Sequence, residues 1–135
     1  MTKPMPSKTL TIDGSNIDDI SSFYEEINRV FMADENWKLG PSLDALNDML
    51  YGAYGAIQGN EPVVVVWKNM EKSRATLGLE STTAFYEDKL KHPETYNVEL
   101  ISRQLNALRQ GTGPTYFEIV LEMLEGHSNI TLEVR

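Results

Sequence analysis

The chain has 135 residues, 41% of them hydrophobic and 24% charged, which suits one soluble globular domain and leaves too little for two ordinary ones. Twenty acidic against twelve basic residues give a formal net charge of −8. No concentrated basic surface is visible to hold nucleic-acid phosphates, whereas a basic partner would be attracted at long range. The absence of cysteine excludes disulfides, thiolate nucleophiles and cysteine-based zinc sites.

Residues 1–7 contain two prolines and no apolar run, and are expected to form a loose lead-in, not a secretory leader. Residues 9–13 alternate, with Leu10 and Ile12 on one side, and read as a short strand closed by the turn Asp13-Gly14-Ser15-Asn16. A helix is expected from Asp18 or Asp19, with Ile20, Phe23, Ile27, Val30 and Phe31 at helical spacing. A polar loop at 33–36 leads to Trp37, and Gly40-Pro41-Ser42 opens a second helix over 43–51. Glycines 52 and 55 end it before the turn Gly59-Asn60-Glu61.

Residues 62–67 carry four consecutive valines and a tryptophan, a run that suits a strand covered on both faces at the centre of a parallel sheet. The same run is far too short to span a bilayer, so a soluble cytoplasmic protein with no membrane partner is expected. A short polar helix at 69–76, a break at Gly78 and a helix at 80–91 follow, the last stopped by His92-Pro93. A further helix at 98–109 places Val98, Ile101, Leu105 and Leu108 on one face, expected to pack on the domain. Gly111-Thr112-Gly113-Pro114 breaks the chain, a helix at 115–125 turns Phe117, Val120, Leu121 and Leu124 inward, and Gly126 is its expected C-cap. The last strand, 129–134, alternates Ile130, Leu132 and Val134. Helical connections between strands favour a small parallel sheet with helices packed on it, hence an α/β fold.

The 43–51 helix has two unlike faces. Leu43, Leu46 and Leu50 form an apolar stripe; Asp44 and Asp48, four apart, stack on the opposite side with Tyr51 beside them. Like charges at that spacing slightly destabilise a helix. Asp44, in the first turn, gains from the helix dipole, but Asp48 lies a turn deeper, where that help is gone. A solvated acidic face and a binding face for a cationic cleft both account for the pair, and Asp48 speaks more for the second.

Rival chemistry finds less support. Two helix carboxylates could act as a general acid/base pair or hold one magnesium ion, but further ligands are missing from the sequence around them, so no metal, cofactor or catalytic residue is expected. His92, before a proline, and His127, after the capping glycine, read as surface loop residues. Gly111-Thr112-Gly113-Pro114 lacks the Gly-Lys-Ser/Thr ending of a phosphate loop.

Leu10-Thr11-Ile12-Asp13-Gly14, Gly40 with Leu43-Asp44-Ala45-Leu46 and Asp48, the run 62–67 and the closing strand 130–134 resemble the barstar family, small intracellular inhibitors of barnase-type ribonucleases. The resemblance covers roughly residues 8–78 and 114–135. It implies one barstar-like domain over 1–135, with a three-stranded parallel sheet packed with helices and an insertion at about 79–113 holding extra helices. It further implies an inhibitor whose acidic loop and helix, about 37–51, plug the basic active site of a ribonuclease, without direct contact to nucleic acid. By position Asp48 corresponds to the family's main anchor and Asp44 to its neighbour, while Glu122 is the nearest candidate for a third acidic contact. Gly40 belongs to the inhibitory loop. Lys38 and Asn47 stand where the family offers aromatic contacts; Trp37, Tyr51 and Tyr54 are the aromatic residues at hand. A positive charge at Lys38, beside a cleft expected to be positive, should bias the choice of ribonuclease. The alternative is an interaction or scaffold protein that keeps the fold without inhibiting a nuclease.

Overall fold

A computed structural model describes residues 8–135; the expected lead-in at 1–7 lies outside them. The elements follow the order β1 (Lys8–Asp13), α1 (Ile20–Phe31), α2 (Leu43–Leu50), β2 (Val63–Lys68), α3 (Met70–Thr76), α4 (Leu79–Leu90), α5 (Val98–Arg109), α6 (Tyr116–Glu125) and β3 (Ile130–Val134). The three strands form one parallel sheet with β2 in the middle. Lys8 pairs with Val63 and Asp13 with Lys68, while Val63 pairs with Ile130 and Trp67 with Val134. The fold is therefore the α/β arrangement that the strand–helix alternation predicts.

The β-branched run explains the centre. Val63, Val65 and Trp67 point to one face of β2 and Val66 to the other, and all four are buried. On the first face they join Phe23, Ile27 and Phe31 of α1, Leu46, Met49 and Leu50 of α2, and Phe117, Val120 and Leu124 of α6 in one core. The Trp67 indole still needs a partner there, and its N–H donates to the buried Ser73 hydroxyl at 3.0 Å. After β1 the expected turn closes as a single 3-10 turn, Gly14–Asn16, with the Asp13 carboxylate accepting from the Ser15 amide. Gly14 is obligatory, because a Cβ would collide with the carbonyl oxygens of Lys68 and Asn69.

Phe85 is packed against two apolar clusters. One is the main core; the other is smaller, made of Tyr86 on α4 and Ile101, Leu105 and Leu108 on α5. The apolar face of α5 thus packs mainly within an α4–α5 hairpin. Val98, expected on that face, is exposed in its first turn. Gly126 does follow α6, but at φ −75° it keeps a right-handed conformation, and no left-handed cap forms.

Candidate functional site

Packing divides α2 as its sequence requires. Leu46, Met49 and Leu50 are buried and Leu43 is half-buried, while Asp44 and Asp48 are exposed. Among the described residues neither carboxylate takes part in an ion pair. Tyr51, just past the helix, is 67% exposed on the same rim.

Several contacts fix this short helix. The Ser42 hydroxyl caps its start, accepting from the Ala45 amide at 3.2 Å. The Tyr54 hydroxyl donates to the Ala45 carbonyl at 2.6 Å, and the Trp37 ring packs edge-on against Tyr54 with centroids 4.7 Å apart. Burial, reinforced by the nearby Asp48 carboxylate, pushes the Tyr54 hydroxyl pKa up. Tyr54 is therefore a support for the helix, with Trp37 resting on it. On the approach to α2, Asn28 of α1 grips Leu39 twice: its amide oxygen accepts the Leu39 N–H at 2.8 Å and its amide nitrogen donates to the Leu39 carbonyl at 3.0 Å. Beneath the cap, the hydroxyls of Tyr24 and Tyr116 lie 2.6 Å apart. Burial pushes the Tyr24 pKa to about 12 and raises that of Tyr116 still further.

The other edge of α2 is braced by a residue expected in a surface loop. His127 is buried, 7% exposed, because the turn between α6 and β3 folds it under α2. Its Nε2 lies 3.0 Å from the Asn47 amide oxygen, and the Tyr51 ring stands edge-on at 4.4 Å. Asn47 is consequently half-buried and already hydrogen-bonded. At the N-terminal end of α2, Asp44 lines a groove together with Lys89 of α4. Burial lowers the Lys89 pKa and Asp44 acts against that shift, so the two charges lie close without forming a direct ion pair.

The remaining predicted site residues are dispersed around this centre. Lys38 and Gly40 are exposed in the loop, and a Cβ at Gly40 would meet nothing within 4 Å. Glu122 is exposed on α6, the helix that packs against α2, and makes no ion pair among the described residues. Sequence reasoning missed Asn28, Lys89 and the buried role of His127. None carries a local signal, since each acts on a partner distant in the chain. Among the described residues no three His, Asp or Glu side chains gather to hold a metal ion, and no helix is long and apolar enough to cross a membrane.

The family model described as Barstar (barnase inhibitor) matches residues 7–88, well over half of the chain, and includes the whole 37–51 loop and helix. The match runs into α4, which the sequence reading assigns to the insertion, and does not reach α6 or β3. No curated protein matches the chain.

Proposed function

The chain belongs to the barstar family of barnase inhibitors, and from that premise we propose that it blocks a basic ribonuclease by setting the 37–51 loop and helix into the enzyme's active-site cleft. The observation that carries this reading is the pair Asp44 and Asp48, exposed and without ion-pair partners among the described residues, on a helix braced by Ser42, Tyr54 and His127. A ribonuclease cleft is lined with cationic side chains that bind phosphates. Carboxylates held rigidly at phosphate positions form charge-assisted hydrogen bonds with those side chains and exclude substrate.

In this reading Asp48 is the main anchor and Asp44 its neighbour, with Glu122 as a third acidic contact from α6. Trp37 and Tyr51 supply exposed aromatic surface of the kind that interfaces concentrate. Gly40 lets the partner's backbone approach, since none of the described residues occupies the space a side chain would fill. Lys38 sits beside the cleft and selects against partners that are positive there. Asn47, tied to His127, shapes the rim. The protein acts by occlusion, with no chemistry of its own, no cofactor and no contact with nucleic acid. We further read residues 1–135 as one barstar-like domain in which α5, beyond the family match, is an additional element, supported by Phe85 packing against both apolar clusters. The proposed setting is the cytoplasm, where an inhibitor of this kind serves as an immunity protein.

Asp48→Ala tests the reading. Titration calorimetry against the ribonuclease that the parent binds should show a loss of at least about 2 kcal/mol, the size of an interface hot spot. Folding stability should hold or rise slightly, because alanine is the better helix former at an exposed site. Equal affinities of parent and variant would remove the anchor and favour a scaffold that keeps the fold without inhibition.

A further inference from the structure

We propose that the α4–α5 hairpin is a second wall of the same binding face, and that the groove between it and the start of α2 receives an uncharged segment from the rim of the ribonuclease. The inference rests on the α2 reading above and adds what the partner must bring beside its cationic cleft.

The groove measures about 540 Å³. Leu43 and Asp44 line one side and Phe85, Lys89, Tyr96 and Leu100 the other, and Asp44 makes the groove continuous with the acidic face. Ser42, Thr95, Asn97 and Gln104 add uncharged polar groups. Among the described residues the chain exposes seven large hydrophobic side chains. Five of them, Trp37, Tyr51, Tyr96, Val98 and Leu100, stand beside α2 or at the start of α5. Tyr96 and Leu100 are 38% and 43% exposed and lie outside the apolar cluster that holds the hairpin together, so internal packing does not account for them.

Charge defines the occupant. Among the described residues Asp44 and Lys89 are the only charged ones lining the groove, and they offset each other. The Lys89 ammonium is held over two rings, 4.4 Å from the centroid of Phe85 and 5.0 Å from that of Tyr96. A basic loop would meet this fixed cation, and a phosphate would meet Asp44. An uncharged segment meets neither penalty, and its apolar groups cover Tyr96 and Leu100 while its polar ones meet Ser42, Asn97 and Gln104. Size points the same way. A standard interface takes roughly 20–30 residues from each side. The loop and helix at 37–51 are only fifteen residues long, with Leu39, Leu46, Met49 and Leu50 buried in the core. A complex of ordinary size therefore spreads beyond α2, and the groove wall, with Tyr96 and Leu100 exposed on it, is the adjoining surface.

The two parts of the face then act on different rate constants. Exposed carboxylates steer the encounter, whereas apolar contacts formed after docking hold the complex together. The test compares the parent, Asp48→Ala and the double variant Tyr96→Ala/Leu100→Ala by surface plasmon resonance, at low and high salt. The probes are a panel of barnase-like ribonucleases, barnase included. For the ribonuclease that the parent binds most tightly, the double variant should dissociate about tenfold faster or more, with its association rate and salt dependence unchanged. Leu100→Gln, which leaves the rings around Lys89 in place, should move dissociation in the same direction and decides the matter if the double variant folds poorly. Parent-like dissociation of the groove variants beside a weakened Asp48→Ala complex overturns the hairpin inference and leaves the α2 reading standing. Parent-like binding by Asp48→Ala, or no ribonuclease bound by the parent, overturns the α2 reading and the inference with it. Sedimentation of the parent alone covers one further outcome: a dimer that the double variant abolishes, with nuclease binding unaffected, would assign the groove to a second copy and also overturn the inference.

Discussion

At position 127 an imidazole that is almost out of solvent reaches Asn47 at 3.0 Å and carries Tyr51 on its edge. Burial disfavours the charged ring and lowers its pKa below the usual 6.5. The consequence for stability has a definite sign. As pH falls through 6.5 the unfolded chain takes up a proton that the folded chain still refuses, so stability is lost between that value and the lower folded pKa, and nothing is lost above it. Thermal melts from pH 7 down to about 5 should therefore show a falling midpoint, and His127→Gln, which keeps a donor for Asn47, should flatten that slope. Identical slopes would mean that His127 does not sense its burial. Glu26 acts in a separate, more acidic range. Burial pushes its pKa up, but bonds from Arg29, the Asp13 amide and Asn16 outweigh burial and hold it below 4.5. Its contribution is intact above 4.5 and is lost as pH falls through the lower folded value.

At the scale of elements, α2 is a helix of eight residues, too short to be stable alone in water, and its form depends on what surrounds it. The Ser42 cap, the Tyr54 bond to Ala45 and the Asn28 grip on Leu39 hold its two ends and its approach. Leu39 is buried, so removing Asn28 leaves a backbone N–H and C=O without partners away from solvent. Asn28→Ala is expected to destabilise the protein by roughly 1–3 kcal/mol in denaturant titrations. Hydrogen exchange should show the Leu39 amide opening much faster than amides in the middle of α1, whereas protection as strong as in the parent would refute the grip.

Across the whole molecule the dominant quantity is charge. A net charge of −8, with two exposed carboxylates on α2 that form no ion pair among the described residues, produces a field that reaches a cationic partner before contact. Stopped-flow association with a basic ribonuclease should slow steeply as salt rises from low to physiological strength, while dissociation changes little. A flat response would mean that the acidic surface only solvates the protein. The hairpin adds the complementary property at this scale, a nearly neutral wall whose contribution salt screens little.

The four-valine run at the sheet centre, the two faces of α2 and the order of strands and helices were legible in the sequence. These follow from local periodicity, β-branched side chains and breaks at glycine and proline, which depend only on near neighbours in the chain. The family resemblance rested on the same stretches. What the tertiary structure alone decided is which element meets which. His127 and Asn47 are 80 positions apart and Asn28 and Leu39 are 11 apart, and nothing in either neighbourhood announces the contact. The sequence around His127 suited an exposed loop, and the fold buried it. Lys89 belonged to a stretch read only as a helix stopped by His92-Pro93, and packing of the hairpin through Phe85 brought it beside Asp44. A sequence pattern specifies that a face will be buried; the partner of that face is chosen when distant segments compete for one core, and such contacts leave no local trace.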